Sequence, residues 1–236
     1  MAIPQYLAMT AAEMQGSLPL PEKCAWMACH FSPYSTGLCN LPPALPPGSL
    51  LIFNDRTPIH GHDPARICRE LNEALEGLDC AGLLLDFQNP PSRESQTLVA
   101  CLEEHLQFPM GISPGYSVES AAVFAPPVPT DTPIADYLAR WRGRSVWLEA
   151  ALEGQTILLT ASGAQRSASP SPPNAPAFAD EALHCHYSIE EKSEAVAFYT
   201  WRTQDDLSAL LEEAEHLDVK LSVGLYQELS MQYRLT

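Results

Sequence analysis

The chain has 236 residues, and its 29 Asp and Glu residues outnumber its 13 Lys and Arg residues to give a formal net charge of −16. Phosphate backbones and anionic lipid head groups bind through clusters of Lys and Arg, so this negative field argues against nucleic acid and membrane surfaces as partners. With 46% hydrophobic residues the chain can bury a core of domain size, yet no apolar run approaches the ~20 residues that cross a bilayer. We expect residues 1–236 to form one domain.

The N-terminal segment and the cysteine pattern indicate a cellular compartment. No basic residue precedes the mildly apolar stretch at the N-terminus, whereas a secretory signal begins with a positive region. The seven cysteines are odd in number, scattered, and free of any CxxC pair, unlike a disulfide framework or a zinc knuckle. These features predict mature sequence in the reducing cytoplasm.

The first half of the chain alternates apolar runs with helical patterns, which is typical of parallel sheets. A short apolar run at residues 50–53 precedes a helix that Asp63 caps and Pro64 opens, and that ends near Gly77. Residues 80–87 begin with an unbroken apolar run up to Leu85, which predicts a strand buried on both faces, and a helix follows over residues 93–106. Two βα units in succession are therefore predicted.

The second half repeats this pattern less regularly. Strands are predicted at residues 121–125, 195–201 and 219–226, with a helix beginning near Thr132 and another capped by Thr203. The number of strands predicts an α/β fold of the TIM-like (β/α) barrel type.

Three segments interrupt the alternation in this half. Residues 144–161 and 184–201 have the pattern of hairpins that turn near residues 153–154 and 192–193. Residues 165–178 are rich in Pro and Ser, which predicts a mobile excursion. The predicted barrel is therefore irregular, with hairpin insertions in its second half.

The segment from Leu83 to Pro90 resembles the fourth-strand signature of family-18 glycoside hydrolases, the chitinase-like barrels, whose pattern is DxxDxDxE. The family's glycine, last aspartate, aromatic residue and proline are matched by Gly82, Asp86, Phe87 and Pro90. Gln88 falls on the position of the catalytic glutamate, and Ala81 and Leu84 replace the first two aspartates.

This resemblance implies a site with altered chemistry. In the family the glutamate protonates the leaving oxygen while a neighbouring aspartate orients the N-acetyl group of the substrate. A carboxamide has no proton of suitable acidity, and the loss of a positioned general acid costs ~10²–10⁴-fold in rate. The resemblance therefore implies a catalytically impaired chitinase-like barrel that binds carbohydrate or has altered glycosidase activity. Gln88 would hydrogen-bond a sugar oxygen and Asp86 would orient the sugar; the alternative for Asp86 is a loop cap or an ion pair.

The carboxyl ends of barrel strands form the site in such folds, which nominates further substrate-binding residues. Those residues are Asp55, Trp201, Tyr226 and Glu228. By the resemblance, Tyr226 takes the place of a sugar-stacking tryptophan on the final strand. Glu228 or Glu149 could supply a displaced acid, or both could be surface carboxylates. The expected ligand is an oligosaccharide or another small polar molecule, and no cofactor is predicted.

Two other functions remain open. His60 and His62 follow a strand in the type of loop where metal-dependent barrel hydrolases gather ligands, and His184 and His186 form a second pair. The chain has only seven histidines and no HExxH, and Asp63 is explained as a helix cap, so no metal site is predicted. The second alternative is an accessory protein that binds a partner through the Pro-rich segment.

Two letter patterns do not support other enzyme classes. Residues 111–115 match GxSxG, but Pro114 lacks the N–H that a nucleophile elbow must donate to the oxyanion. The sequence contains neither GxGxxG nor GxxxxGK, so no nucleotide-binding loop is predicted.

Overall fold

The computed structural model describes residues 3–17, 19–59, 61–116, 118–168 and 176–230. In chain order the elements are β1 (Gln5–Met9), α1 (Ala11–Gly16), β2 (Cys24–Phe31), β3 (Leu38–Cys39), β4 (Leu50–Asn54), α2 (Pro64–Gly77), β5 (Gly82–Asp86), α3 (Arg93–His105), β6 (Met110–Ile112), β7 (Ala122–Ala125), α4 (Ile134–Leu138) continued by a 3-10 turn (Ala139–Trp141), β8 (Val146–Ala150), β9 (Gly154–Thr160), β10 (Gly163–Ala168), β11 (Phe178–Asp180), β12 (Cys185–Lys192), β13 (Ala195–Trp201), α5 (Gln204–Glu215), β14 (Val219–Leu225) and α6 (Tyr226–Leu229).

Eight parallel strands form a closed barrel in the order β1-β2-β4-β5-β6-β7-β8-β14. The ring closes because β1 pairs in parallel with both β14 and β2, with Gln5 opposite Ser222 and Leu7 opposite Cys24. The short strand β3 is antiparallel to the end of β2. The predicted TIM-like barrel is confirmed, and β5 is its fourth strand, as the signature requires.

Side chains alternate between two cores because the strand period is two. Inward residues fill the barrel with one apolar cluster: Tyr6, Ala8, Ala25, Leu50, Ile52, Leu84, Ala122, Trp147, Leu221 and Val223. Outward residues of the same strands, such as Leu83 and Leu148, pack against the surrounding helices. This arrangement explains why the barrel strands are apolar on both faces.

The predicted helices form for the reasons their sequences suggest. The side chain of Asp63 accepts a hydrogen bond from the backbone N–H of Ala65 at the start of α2, which ends at Gly77. Thr203 and Asp206 cap α5 reciprocally. The helix predicted from Thr132 begins at Ile134 and its last turn is a 3-10 turn.

The prediction of a hairpin over residues 144–161 is wrong. β8 lies in the barrel between β7 and β14, and β9 pairs instead with β10 and β13 in a separate sheet. The turn near Gly154 therefore marks a change of sheet. An apolar run followed by a turn and a second apolar run does not reveal which partners the two strands will find.

A five-stranded antiparallel sheet, in the order β10-β9-β13-β12-β11, is inserted between β8 and α5. The predicted hairpin of β12 and β13 is confirmed, since His186 pairs with Trp201 and Lys192 pairs with Ala195. The strand at residues 195–201 consequently belongs to this sheet and not to the barrel. Of the predicted excursion, residues 165–168 lie in β10 and Phe178 lies in β11, while residues 169–175 are outside the described residues.

All seven cysteines lie in the described part of the chain and are free thiols. No helix within that part is both long and apolar enough to span a bilayer.

Candidate functional site

A cavity opens where the carboxyl ends of the barrel strands converge. Its volume is about 220 Å³, and it is lined by Ala8, Met27, Ile52, Leu84, Asp86, Gln88, Phe124, Glu149, Val223, Gly224 and Leu225. A neighbouring cavity of about 500 Å³ shares Met27, Asp86 and Gln88 and adds Asn54, Asp55, Arg56 and Asn89. We call these two adjoining cavities the barrel mouth. Active sites of parallel barrels occupy this end, because the strand ends and the loops that follow them meet there.

Asp86 and Gln88 lie together in the barrel mouth. Asp86 is the last residue of β5 and lies two residues beyond Leu84 on the inward face. The side-chain amide of Gln88 donates to the Asp86 carboxylate, at 3.3 Å to Oδ1 and 3.4 Å to Oδ2. Desolvation by burial raises the pKa of Asp86; the Gln88 hydrogen bond opposes this shift and the charge of Asp55 adds to it.

Asp55 holds the loop that carries Gln88. Its Oδ1 accepts from the backbone N–H of Gln88 at 2.9 Å, and its Oδ2 accepts from the backbone N–H of Asn89 at 3.0 Å. The Asn89 side chain donates back to the Asp55 carbonyl at 2.9 Å. Asp55 is only 6% exposed, so its carboxylate acts on the loop and positions the amide beside Asp86.

Glu149 is the second carboxyl in the smaller cavity. It lies on β8 two residues after Trp147, whose indole belongs to the inward cluster, so the strand period directs Glu149 to the same face. Burial, together with the negative charges of Asp86, Glu153 and Glu228, raises the pKa of Glu149 to about 7. This carboxyl therefore keeps its proton close to neutral pH.

The other residues predicted to bind substrate lie elsewhere. The hydroxyl of Tyr226, at the start of α6, accepts from Ser17 at 3.0 Å, and its ring packs against the outer apolar cluster. Glu228 accepts from the backbone N–H of Leu152 in the loop after β8. Trp201 ends β13 and stacks on His186 with 6.0 Å between ring centroids. Leu225, the residue before Tyr226, lines the smaller cavity, and Tyr226 does not.

The histidine pairs do not form a metal centre within the described residues. No group of three or more His, Cys, Asp or Glu side chains there could hold a metal ion, and His60 lies outside those residues. The ring of His62 packs on Phe31 with 4.8 Å between centroids. His184 contacts Glu213 and His186 contacts Asp206, each at 2.7 Å, so the second pair is divided between two carboxylates.

From the sequence, Glu149 is predicted only as one of two possible displaced acids, and Met27 and Phe124 are not predicted to line the site. The usable signal is the alternation within β8, where Trp147 and Glu149 share one face. That signal is lost when β8 is assigned to a hairpin.

Comparison with known proteins agrees with the fold. No family model matches the sequence, and no curated protein is detectably similar in sequence. A class V chitinase from Nicotiana tobaccum in complex with NAG4 matches with a TM-score of 0.59 at 10% identity, over 95% of this chain and 93% of the chitinase. A GH18 chitinase from Cycas revoluta in complex with (GlcNAc)4 matches with a TM-score of 0.57 at 12% identity, over 94% of each chain.

The spore cortex-lytic enzyme SleL of Bacillus cereus matches with a TM-score of 0.56 at 9% identity, over 94% of this chain and 70% of SleL. At such identities the likeness establishes the fold alone. The chain has the fold of the chitinase-like TIM barrels, which confirms the predicted resemblance at the level of architecture.

Proposed function

We propose that this protein binds oligosaccharides of N-acetylglucosamine at the barrel mouth, and that Gln88 impairs chitinase chemistry there. The fold supports this proposal, because solved barrels of the same architecture include chitinases in complex with NAG4 and (GlcNAc)4. The ligand is uncharged, so the net charge of −16 does not oppose its binding.

The observation that carries the proposal is the convergence of Asp86 and Gln88 on one cavity whose remaining lining includes Met27 and Phe124. Small-molecule sites are mostly apolar with a few placed polar groups, and a sugar offers both hydroxyl groups and apolar C–H faces. The carboxylate of Asp86 accepts hydrogen bonds, and the amide of Gln88 both donates and accepts them. Asp55 keeps the amide in place through the backbone of the loop.

The impairment follows from the chemistry of the amide. Gln88 occupies the position of the family's general acid by the resemblance, and a carboxamide cannot give a proton to a leaving oxygen at neutral pH.

The seven free thiols favour a reducing compartment, so we also propose a cytoplasmic location.

Titration calorimetry with (GlcNAc)4 tests the binding. We expect Asp86→Asn to weaken binding by about 10- to 100-fold, since a hydrogen bond to a charged group contributes roughly 1.5–3 kcal/mol. The control is Asp218→Asn, because Asp218 is exposed, precedes β14 at the opposite end of the barrel, and has a positive φ of 63° that Asn tolerates. The proposal would be contradicted if titration of the wild type with (GlcNAc)4 gave no heat of binding, or if Asp86→Asn and Asp218→Asn bound (GlcNAc)4 with equal affinity.

Gln88→Glu tests the impairment. Restoring a carboxyl group beside Asp86 is expected to raise the rate of (GlcNAc)4 hydrolysis by ~10²–10⁴-fold over the wild type. The matched control is Gln96→Glu on the exposed face of α3, which should leave the rate unchanged. Product formation is followed by chromatography. A wild-type rate equal to or above that of Gln88→Glu would show that Gln88 does not impair hydrolysis.

A further inference from the structure

The smaller cavity contains two carboxyl groups in different surroundings. Asp86 lies at the end of β5 under the amide of Gln88, and Glu149 reaches the same space from β8. None of the described residues that line this cavity is basic. The charged groups that act on Glu149 are Asp86, Glu153 and Glu228, all acidic. Arg56 lines only the larger cavity.

These surroundings favour a neutral carboxyl at Glu149. Ionisation would bury a negative charge that three acidic neighbours disfavour, and burial together with these charges raises the pKa of Glu149 to about 7. Burial raises the pKa of Asp86 as well, but the hydrogen bond from Gln88 stabilises the carboxylate and opposes that shift. Glu149 therefore has a pKa suited to a proton donor near neutral pH, and the Asp86 carboxylate, which accepts from the Gln88 amide, can accept a proton in the same cavity.

Two other nearby carboxylates, Asp55 and Glu228, are engaged in hydrogen bonds. Both oxygens of Asp55 accept from backbone N–H groups of the β5 loop, and Glu228 accepts from the backbone N–H of Leu152. Glu149 is thus the carboxyl, besides Asp86, that lines the smaller cavity.

We propose that Glu149 is the proton donor of this site, taking the role that Gln88 cannot perform, with Asp86 as the base. This inference rests on the proposed binding of N-acetylglucosamine oligosaccharides. It assigns the protein a slow glycosidase activity with a proton donor on the seventh barrel strand instead of the fourth.

The reaction balances as a hydrolysis. Glu149 gives its proton to the glycosidic oxygen while the bond between that oxygen and the anomeric carbon breaks, and the bonding electron pair stays on the oxygen. A water molecule forms a bond to the anomeric carbon and gives its proton to the Asp86 carboxylate. One water is consumed and two hydroxyl-terminated sugars leave. Exchange with solvent then returns a proton to Glu149 and removes one from Asp86.

The experiment measures hydrolysis of (GlcNAc)4 as a function of pH for the wild type, Glu149→Gln and Glu153→Gln, with affinity measured by calorimetry alongside. The wild-type rate is expected to fall as pH rises through about 7, because the donor loses its proton there. Glu149→Gln should lose at least 100-fold in rate with less than a 10-fold change in affinity, since the amide keeps the size and hydrogen bonding of the neutral acid.

Glu153→Gln is the matched control. Its side chain is outside the lining of the cavity, and removing its charge lowers the pKa of Glu149. The maximal rate should stay the same, and the fall at alkaline pH should move to lower pH.

Three results would overturn the inference: wild-type hydrolysis no faster than the buffer blank, Glu149→Gln as active as the wild type, or a pH profile that Glu153→Gln does not move. In each case retained affinity for (GlcNAc)4 leaves the proposed function standing. If the wild type does not bind (GlcNAc)4, both the proposed function and the proton-donor role of Glu149 are wrong.

Discussion

Trp147 belongs to the apolar cluster that fills the barrel below the mouth, which we call the barrel floor. It lies one layer deeper than Glu149 on β8, and its indole covers Gly111 of β6 and Gly82 of β5. A Cβ on Gly111 would collide with Cε3 of the indole, and one on Gly82 would lie 2.7 Å from the carbonyl oxygen of Pro109. Glycine is needed at these two strand positions because a large ring and a backbone carbonyl approach them closely.

Gly111→Ala is expected to destabilise the fold by roughly 1–3 kcal/mol, because the added methyl group overpacks the barrel floor. Urea unfolding followed by tryptophan fluorescence measures the change. Gly77→Ala is the control, since a methyl group added there, at the end of α2, would meet no atom within 4 Å beyond its chain neighbours and the backbone of its own helix. An equal effect of the two substitutions would show that the floor is not tightly packed.

At the scale of elements, Arg202 joins the inserted sheet to the barrel. It follows β13 and is 4% exposed. Its guanidinium donates to the carbonyls of Val128 and Pro129 in the loop after β7, and to those of Leu183 and His184 before β12. Desolvation lowers the pKa of Arg202, but the neighbouring acids oppose the shift and the group stays charged. A rigid planar fork with several donors can reach four carbonyls at once.

Arg202→Met is expected to lower the free energy of unfolding by about 3 kcal/mol, because buried carbonyls lose a charged donor. Hydrogen exchange should accelerate more in β12 and β13 than in β4 and β5. Arg166→Met is the comparison: that side chain is 61% exposed and pairs with Asp131 at 2.7 Å, so its loss should cost less than ~1 kcal/mol. Uniform acceleration across both sheets would contradict this role.

Elements whose signals are local in sequence are the ones that can be predicted. The helices α2 and α5 are predictable because their caps, Asp63 and Thr203, and their apolar spacing are local in sequence. The strand β5 is predictable because an unbroken apolar run of that length suits a strand buried on both faces. The hairpin of β12 and β13 is predictable because its two strands are neighbours along the chain.

The whole molecule depends on pairings that no local pattern contains. Barrel closure requires β1 to pair with β14, which brings Gln5 opposite Ser222. The sequence patterns predict neither β1 nor β2 as a strand, and they assign β8 to a hairpin although both of its partners are barrel strands. The strand at 195–201 has the composition of a barrel strand, yet it pairs with β9 and β12.

For the site, the motif around β5 places Asp86 and Gln88 two residues apart at a strand end, and both side chains line the same cavity. The contacts of Asp55, Glu228 and Tyr226 cannot be obtained in this way. Their side chains contact Gln88, Leu152 and Ser17, residues that are distant in sequence or across the barrel end. Sequence position after a strand therefore predicts proximity to the mouth but does not predict which way a side chain turns.

By itself, then, the sequence determined the parallel βα character of the chain, the boundaries of α2 and α3, the capped start of α5, and the carboxylate and amide of the fourth barrel strand, because caps, periodicity and a contiguous motif act over a few residues. Only the tertiary structure decided the order of the strands, the separate inserted sheet and the position of Glu149 in the same cavity as Asp86. Those features arise from hydrogen-bonded pairing and burial between segments far apart in the chain, and such pairings are selected by the assembled core as a whole.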